Sequence, residues 1–343
     1  MMVLTFPIST GPGGINTSTM SFLQTMLRSL AGGYVLTYFS EFAFYGQTTN
    51  PGLPPASPGE LVQLFLIYSL MAYLLFSLIE HFQIRSFPAL FLAGAAYGWM
   101  LEGMVVATLY ESMPFSISFT ALAWHAPVDV VLGLYWLPHR LAEGKPGKNT
   151  LYFSILGLTW GLWVLWPITD LGLIQSPAKF LLFSMIASFP LLPAYWLLGQ
   201  WSSKPFQPSR WLLILMGLLL SFSYLFNAFI PLPLAALLLP LLLSLCGWAL
   251  SSYRRRAPSG RPWPAFTIKP QMVNLPLLLF IPLNASAAYG TFIHLGWHMP
   301  SHILFGLPAA VAGAVYFLIS LFRAAVGNQK PLMLQDTASG SKT

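Results

Sequence analysis

About ten apolar segments, each roughly 20 residues long, follow one another along this chain with short gaps between them. Fifteen of the 16 Lys and Arg residues fall in alternate gaps or near the two ends. A segment of that length can cross the hydrocarbon core of a bilayer as a helix, and basic residues gather on the cytoplasmic side of membrane proteins. The pattern therefore predicts an all-α, polytopic transmembrane helical bundle of about ten spans with both termini cytoplasmic.

The predicted spans begin and end near Pro, Gly or charged residues. They lie near residues 26–46, 61–80, 87–109, 114–137, 151–171, 177–199, 211–229, 231–252, 273–293 and 301–323. The basic residues assigned to the cytoplasmic side are Arg28, Arg85, Arg140, Lys145, Lys148, Lys204, Arg210, Arg254, Arg255, Arg256, Arg261, Lys269, Arg323, Lys330 and Lys342. Two pairs of spans are closely spaced, and we expect helix breaks at 230–233 and 296–300. Losing either break would reverse every later span and violate the charge pattern.

The composition excludes an ordinary soluble globule, in which about a quarter of the residues are charged. Here 7% of the 343 residues are charged and 56% are hydrophobic, and the mean hydropathy is +0.68. The short gaps predict one membrane domain of ten helices, 26–323, between a cytoplasmic N-terminal tail, 1–25, and a disordered cytoplasmic C-terminal tail, 324–343. With five spans in each half, the two halves would have opposite orientations, which allows a 5+5 inverted repeat. The two halves show no similarity at the level of residues.

The formal net charge of +7 comes from residues that flank the predicted spans. Such residues suit anionic lipid headgroups, so the expected partners are the lipid bilayer and a small solute or lipid substrate, with no nucleic acid. The first twenty residues hold no Lys or Arg, unlike the charged start of a cleavable signal peptide. We expect an integral protein of a bacterial cytoplasmic membrane, and the sequence carries no signal for its oligomeric state.

Glu102 stands out among the acidic residues because it lies inside a predicted span. Gly94, Gly98 and Glu102 recur every four residues and so share one helix face. Glycines allow a neighbouring helix to approach closely, and a carboxylate at this depth is costly unless it has a partner or a proton. Glu102 is therefore a candidate proton-coupling or acid/base residue, and the alternative is a structural hydrogen bond between helices.

His125 and Asp129 lie four residues apart in the next span, which should run antiparallel beside the span of Glu102. A histidine near a carboxylate suits a proton relay, metal ligation or general-base chemistry. Counted from the outer gap, His125 falls near mid-membrane, Asp129 falls deeper, and Glu102 falls in the outer half. The alternative is that His125 and Asp129 satisfy each other beside a kink at Pro127.

Three histidines spaced by four, His294, His298 and His302, lie near the last span. On an unbroken helix they would share a face and could bind a divalent metal. Gly296 and Pro300 lie between them, however, and the predicted topology places the group at an outer turn. There they would act as interfacial or capping side chains instead.

Acidic side chains also gather on the outer side, where Lys179 is the one basic residue. These acids are Glu41, Glu60, Glu111 and Asp170. Together with Glu102 and the histidines they predict a negative vestibule that attracts cations, although Glu60 and Glu111 equally fit simple interfacial acids. Glu41, Glu102 and Trp124 are the candidate substrate-binding residues.

Trp160, Trp163 and Trp166 form a run that is similar to the tryptophan-rich WGxxWxWD motif of haem-handling cytochrome c assembly proteins. The run departs from that motif because Pro167 follows Trp166 and the final Trp-Asp is missing. A spacing of three also places the rings on one helix face, which favours an aromatic belt or a packing seam.

These features favour a proton-coupled secondary transporter or permease of a small cationic solute or metal ion, in which protonation of Glu102 or His125 is coupled to transport. The alternative is a metal- or acid/base-dependent intramembrane enzyme acting on a lipid or isoprenoid, with His298 and His302 as ligands. A third reading is a subunit or assembly factor of a membrane complex.

Overall fold

The structure is a computed structural model that describes residues 21–47, 56–172, 175–200, 204–256, 268–297 and 299–327. Within these ranges the chain is helical and contains no strand. Eight helices in these ranges are long and apolar enough to cross a membrane. The chain is therefore an integral membrane protein built as a polytopic helical bundle.

Within the described ranges a helical segment occurs at each of the ten predicted places. In chain order these segments are α1 (22–45), α2 (Pro58–His81), α3 (87–105), α4 (Phe115–Ala142), α5 (Pro146–Ile168), α6 (Pro177–Gln200), α7 (Arg210–Phe229), α8 (Pro233–Arg256), α9 (Met272–His294) and α10 (His302–Val326). The eight helices that are long and apolar enough to cross a membrane are all of these except α1 and α3. Those two carry Arg28, Glu41 and Glu102, and charged side chains lower the hydropathy of a helix.

Both predicted helix breaks are present, and the outer boundaries differ slightly from prediction. The chain turns between Phe229 and Pro233 and again between His294 and His302. The first helix begins at Phe22, four residues before the predicted span, because Ser21 forms a capping box with Gln24. The last helix continues to Val326. The predicted tails otherwise lie outside the described residues.

The predicted glycine seam is where α3 packs against α4. A Cβ atom on Gly98 would lie 2.9 Å from both the Cα of Ala121 and the Cβ of His125, and one on Gly94 would lie 2.9 Å from the Cα of Ala126. Only a residue without a side chain permits so close an approach. The seam therefore brings the end of α3, with Glu102, against His125.

Three buried or half-buried carboxylates and one buried histidine gather where α1, α3 and α4 meet, and all four lie in π-helical turns. Glu41 lies in Tyr38–Phe42 of α1, and Glu102 lies in Leu101–Val105 of α3. His125 and Asp129 lie in Ala121–Trp136 of α4, which also contains Pro127. Such turns widen a helix, are rare, and often occur at functional sites. The backbone thus departs from α-helical geometry where the polar side chains gather.

Side chains from neighbouring helices satisfy the carbonyls of these wider turns. The indole N–H of Trp124 donates to the Phe39 carbonyl, 2.8 Å away. The Ser223 hydroxyl and the Asn227 amide of α7 donate to the carbonyls of Met104 and Val105, at 2.6 and 2.9 Å. Inside a membrane such carbonyls need a protein partner, so these contacts hold the irregular turns in place.

The tryptophan run of α5 forms a packing seam on the end of α1. The indole N–H of Trp160 donates to the Ala43 carbonyl at 2.9 Å, and those of Trp163 and Trp166 donate to the Phe44 carbonyl at 2.8 and 3.3 Å. The last carbonyls of a helix have no partner within the helix. The spacing of the tryptophans is thus accounted for by the capping of α1.

Candidate functional site

His125 lies at the centre of a buried polar cluster and contacts a carboxylate through each ring nitrogen. Its Nε2 atom lies 2.8 Å from Oε1 of Glu102, and its Nδ1 atom lies 2.7 Å from Oδ2 of Asp129. His125 is 4% exposed, Glu102 8% and Asp129 0%. The structure brings together all three candidate proton-coupling residues. Because Glu102 and His125 share a hydrogen bond, they lie at nearly the same level along the bundle, closer together than predicted.

Residues of α1 and α2 extend the cluster to a third carboxylate. The Ser40 hydroxyl lies 3.1 Å from Nδ1 of His125. The Tyr68 hydroxyl lies 2.8 Å from Oγ of Ser40 and 2.6 Å from Oε1 of Glu41, to which it donates. A continuous path of hydrogen-bonding groups therefore connects Glu41 to Glu102 through His125.

Two more hydroxyls support the carboxylates from outside this path. Tyr97 donates to Oδ2 of Asp129 at 3.4 Å, and its ring packs edge-on against His125 with centroids 5.6 Å apart. Thr108 donates to Oε2 of Glu102. Sequence reasoning missed Ser40, Tyr68, Tyr97 and Thr108. Two of them could have been found: Ser40 precedes Glu41, and Tyr97 lies between Gly94 and Gly98. No local pattern marked Tyr68 as part of the site.

The cluster faces a cavity of about 600 Å³ whose lining is largely apolar but includes the carboxylates of three glutamates, and we call it the acidic cavity. Glu41, Glu102, Glu111 and His125 line it, and none of the described lining residues is Lys or Arg. The exposed residues of its described lining, Val106, Glu111, Ser112 and Phe115, all lie within 106–116, and we call this part of the lining the cavity mouth. A cavity with this lining attracts cations and protons.

The three candidate substrate-binding residues all line this cavity. Glu41 and Glu102 provide carboxylates, and Trp124 provides an aromatic ring whose orientation is held by its hydrogen bond to Phe39. Asp129 is not among the residues that line the cavity, but it contacts His125, which does line it. Asp129 is thus placed to orient His125 rather than to touch a solute.

The other acidic residues of the predicted vestibule, Glu60, Glu111 and Asp170, lie outside the His125 cluster or outside the described side chains. Glu60 accepts from the backbone N–H of Ser57 at 2.6 Å in the capping box that starts α2, so its presence is explained by helix capping. Glu111 is exposed at the cavity mouth. The side chain of Asp170 lies outside the part of the structure that is described. The predicted vestibule therefore consists, within the described residues, of Glu41, Glu102 and Glu111.

The three histidines predicted to share a helix face lie where the helix is interrupted. His294 is exposed at the end of α9, and His302 begins α10 with its ring 6.0 Å from that of Trp166. His298 lies outside the described residues. The spacing by four therefore does not place these residues on one continuous helix, because the chain turns between them. Their metal-binding role stays a prediction.

Among the described residues no group of three His, Cys, Asp or Glu side chains is arranged to hold a metal ion. In the His125 cluster the two carboxylates contact opposite ring nitrogens, so they do not converge on one point as metal ligands must. The arrangement instead suits the binding and transfer of protons.

Comparison of the chain with protein-family models, with curated proteins and with solved structures finds no match. What the site can do follows from its own chemistry.

Proposed function

We propose that this protein is a proton-coupled secondary transporter or permease of a small cationic solute. The supporting observation is the buried path from Glu41 through Tyr68, Ser40 and His125 to Glu102, which faces an acidic cavity. Intramembrane ionisable residues of this kind commonly mark ion and proton pathways.

The charge balance of the cluster supports this function. It holds the carboxyl groups of Glu41, Glu102 and Asp129 and one histidine, His125. An ionised carboxylate in a membrane interior costs about 3 kcal/mol or more, and one imidazolium can neutralise only one carboxylate. The site therefore binds either protons or a cationic solute to offset the remaining charge.

Competition between protons and a solute for the same carboxylates provides the coupling. If a cation bound at Glu102 and Glu41 lowers the affinity of the site for protons, protons lower its affinity for the cation by the same factor. Binding of the cation from one side then releases protons, and the transport mode is an exchange of cation for proton. The hydrogen-bonded path supplies the route by which protons redistribute among the three carboxyl groups.

The basic residues support an outward-facing cavity. With Arg85, Arg140 and Arg254 on the cytoplasmic side, ten spans place both termini in the cytoplasm and the cavity mouth at 106–116 outside. In this topology α1 and α3 are spans despite their charged residues. Buried partners offset the cost of Glu41 and Glu102, as expected for spans that carry the site.

Proton exchange can be measured in proteoliposomes that contain a pH-sensitive dye and purified protein. Addition of methylammonium or another small ammonium ion outside, at constant external pH, should move protons across the membrane in wild type. Ammonium ions without a dissociable proton, such as tetramethylammonium, exclude leakage of the neutral amine. The absence of cation-dependent proton movement across a panel of such ions would contradict the proposal.

An intramembrane enzyme is the second candidate, and one observation favours its acid/base version. A histidine between two carboxylates is also suited to general acid/base chemistry. The metal-dependent version has less support, since the described residues provide no metal-binding group. Incubation of the protein with membrane lipids or isoprenoids, followed by mass spectrometry, distinguishes the two candidates. A product that is lost in Glu102→Gln supports the enzyme. A product whose formation is sensitive to chelators supports a divalent metal cofactor.

A further inference from the structure

A second cavity of about 280 Å³ lies beside the acidic one and is almost wholly apolar. Its walls come from α1, α4, α5, α9 and α10, and they include Trp160, Trp163, Ile281 and Phe305. No carboxylate, Lys or Arg occurs among the described residues that line it. Such a space favours an apolar group over water.

The two cavities share one wall, which is made of three aromatic side chains. Phe44, Phe119 and Trp124 line both cavities. The rings of Phe44 and Trp124 meet edge-on with centroids 4.8 Å apart, and the centroid of Phe119 lies 6.4 Å from that of Phe44. A single layer of rings therefore separates the carboxylates from the apolar space.

This arrangement matches a solute that has one charged end and one apolar end. The charged end has Glu41 and Glu102 as counter-charges, and aromatic rings next to a cation add to the attraction. A small hydrated cation would leave the apolar cavity unused. Taken together, the volumes of 280 and 600 Å³ lie within the range of small-molecule sites, about 300–1,000 Å³.

We propose that the solute is an amphipathic organic cation, an ammonium group that carries an alkyl or aryl chain. The ammonium group binds at Glu41 and Glu102. The chain occupies the apolar cavity, and it enters when a ring of the layer formed by Phe44, Phe119 and Trp124 moves aside. This assignment of the substrate class rests on the proposed function, and it adds a chain-length dependence that the proposed function alone does not require.

The test is a binding series of alkylammonium ions on the protein in nanodiscs of zwitterionic lipid. Methylammonium, butylammonium and hexylammonium are titrated by calorimetry against wild type and Ala309→Leu. Ala309 lines the apolar cavity but not the acidic one, so a leucine there fills only the apolar space. Both proteins share the same lipid, and the difference between them therefore cancels partitioning of the probe into the nanodisc.

In wild type the affinity should rise about threefold to fourfold for each added methylene. In Ala309→Leu methylammonium should bind as it does to wild type, whereas hexylammonium should lose roughly tenfold, since about two methylenes lose their space. If Ala309→Leu does not fold, Ala123→Leu from α4, which also lines the apolar cavity, serves in its place.

Two negative results have different meanings. If methylammonium and hexylammonium bind wild type equally, or if the cavity-filling variant weakens both equally, the amphipathic substrate is excluded while a small cation remains. If no ammonium ion of the series binds wild type, and Glu102→Gln behaves identically, both the substrate class and the proposed function are wrong.

Discussion

The Nε2 atom of His125 lies 2.8 Å from Oε1 of Glu102, across the seam where α4 packs on α3. This contact exists because Gly98 lets the two helices approach until a Cβ atom there would touch His125. The same histidine holds Asp129 through its other nitrogen, at 2.7 Å. A packing feature of the backbone thus determines the distance between the groups that we expect to exchange protons.

Glu102→Gln should abolish cation-dependent proton movement without unfolding the protein. The amide keeps the shape and one acceptor for His125 but removes the charge that binds a cation. Loss of a charge-assisted hydrogen bond, about 1.5–3 kcal/mol, corresponds to roughly a 10- to 100-fold loss in cation affinity. Uptake in proteoliposomes and thermal unfolding measure the two effects.

Glu60→Gln is the matched control for Glu102→Gln, because Glu60 is exposed and caps α2 outside the cavity. It should transport as wild type does. Equal loss of transport in both variants, or normal transport by Glu102→Gln, would exclude Glu102 as the coupling residue.

Gly98→Ala should destabilise the protein by about 1–3 kcal/mol, because the new methyl group overpacks the seam. It would lie 2.9 Å from the backbone of Ala121. The control is Gly217→Ala in α7, where no described atom beyond the local helix backbone lies within 4 Å of the new atom. Alanine in a helix is there neutral or stabilising by up to about 1 kcal/mol. Reversible unfolding in mixed detergent measures both. Similar effects of the two substitutions would mean that the α3–α4 seam is not tightly packed.

Asp129→Leu should destabilise more than Asp129→Asn. Asp129 is fully buried and accepts from Tyr97 while it contacts His125. Leucine removes the acceptor that both groups contact, at up to about 1–3 kcal/mol each, whereas asparagine keeps an acceptor oxygen. The Ser40 hydroxyl stays within 3.1 Å of Nδ1 of His125 in both variants. The same unfolding assay compares the two variants, and equal stabilities would argue against these hydrogen bonds.

Cysteine labelling tests the orientation and whether α4 crosses the membrane. In a Cys246→Ser background, which removes the one native cysteine, Ser112→Cys at the cavity mouth should react with a membrane-impermeant maleimide added to intact cells. Lys148→Cys, in the first turn of α5, should react only after the membrane is opened. Both positions are exposed in the structure. The reverse pattern would invert the topology, and labelling of both positions from outside would exclude α4 as a span.

The sequence predicted the parts of the site that lie close together along the chain. The spacing of Gly94, Gly98 and Glu102 by four placed these residues on one helix face, and the spacing of His125 and Asp129 did the same on the next helix. Helical periodicity is a local property, and a short connection makes consecutive helices neighbours. The meeting of Glu102 with His125 therefore followed from local signals.

The sequence by itself determined the helical class, the positions of the helices and their breaks, because apolar length, proline and charge act over one segment at a time. Only the tertiary structure decided that Ser40 and Tyr68 join His125 and that Trp124 separates an acidic cavity from an apolar one. Ser40 and His125 are 85 residues apart. Contacts over such separations depend on how several helices pack together. The same packing brings together the π-helical turns that carry Glu41, Glu102 and His125. No spacing within one segment encodes it.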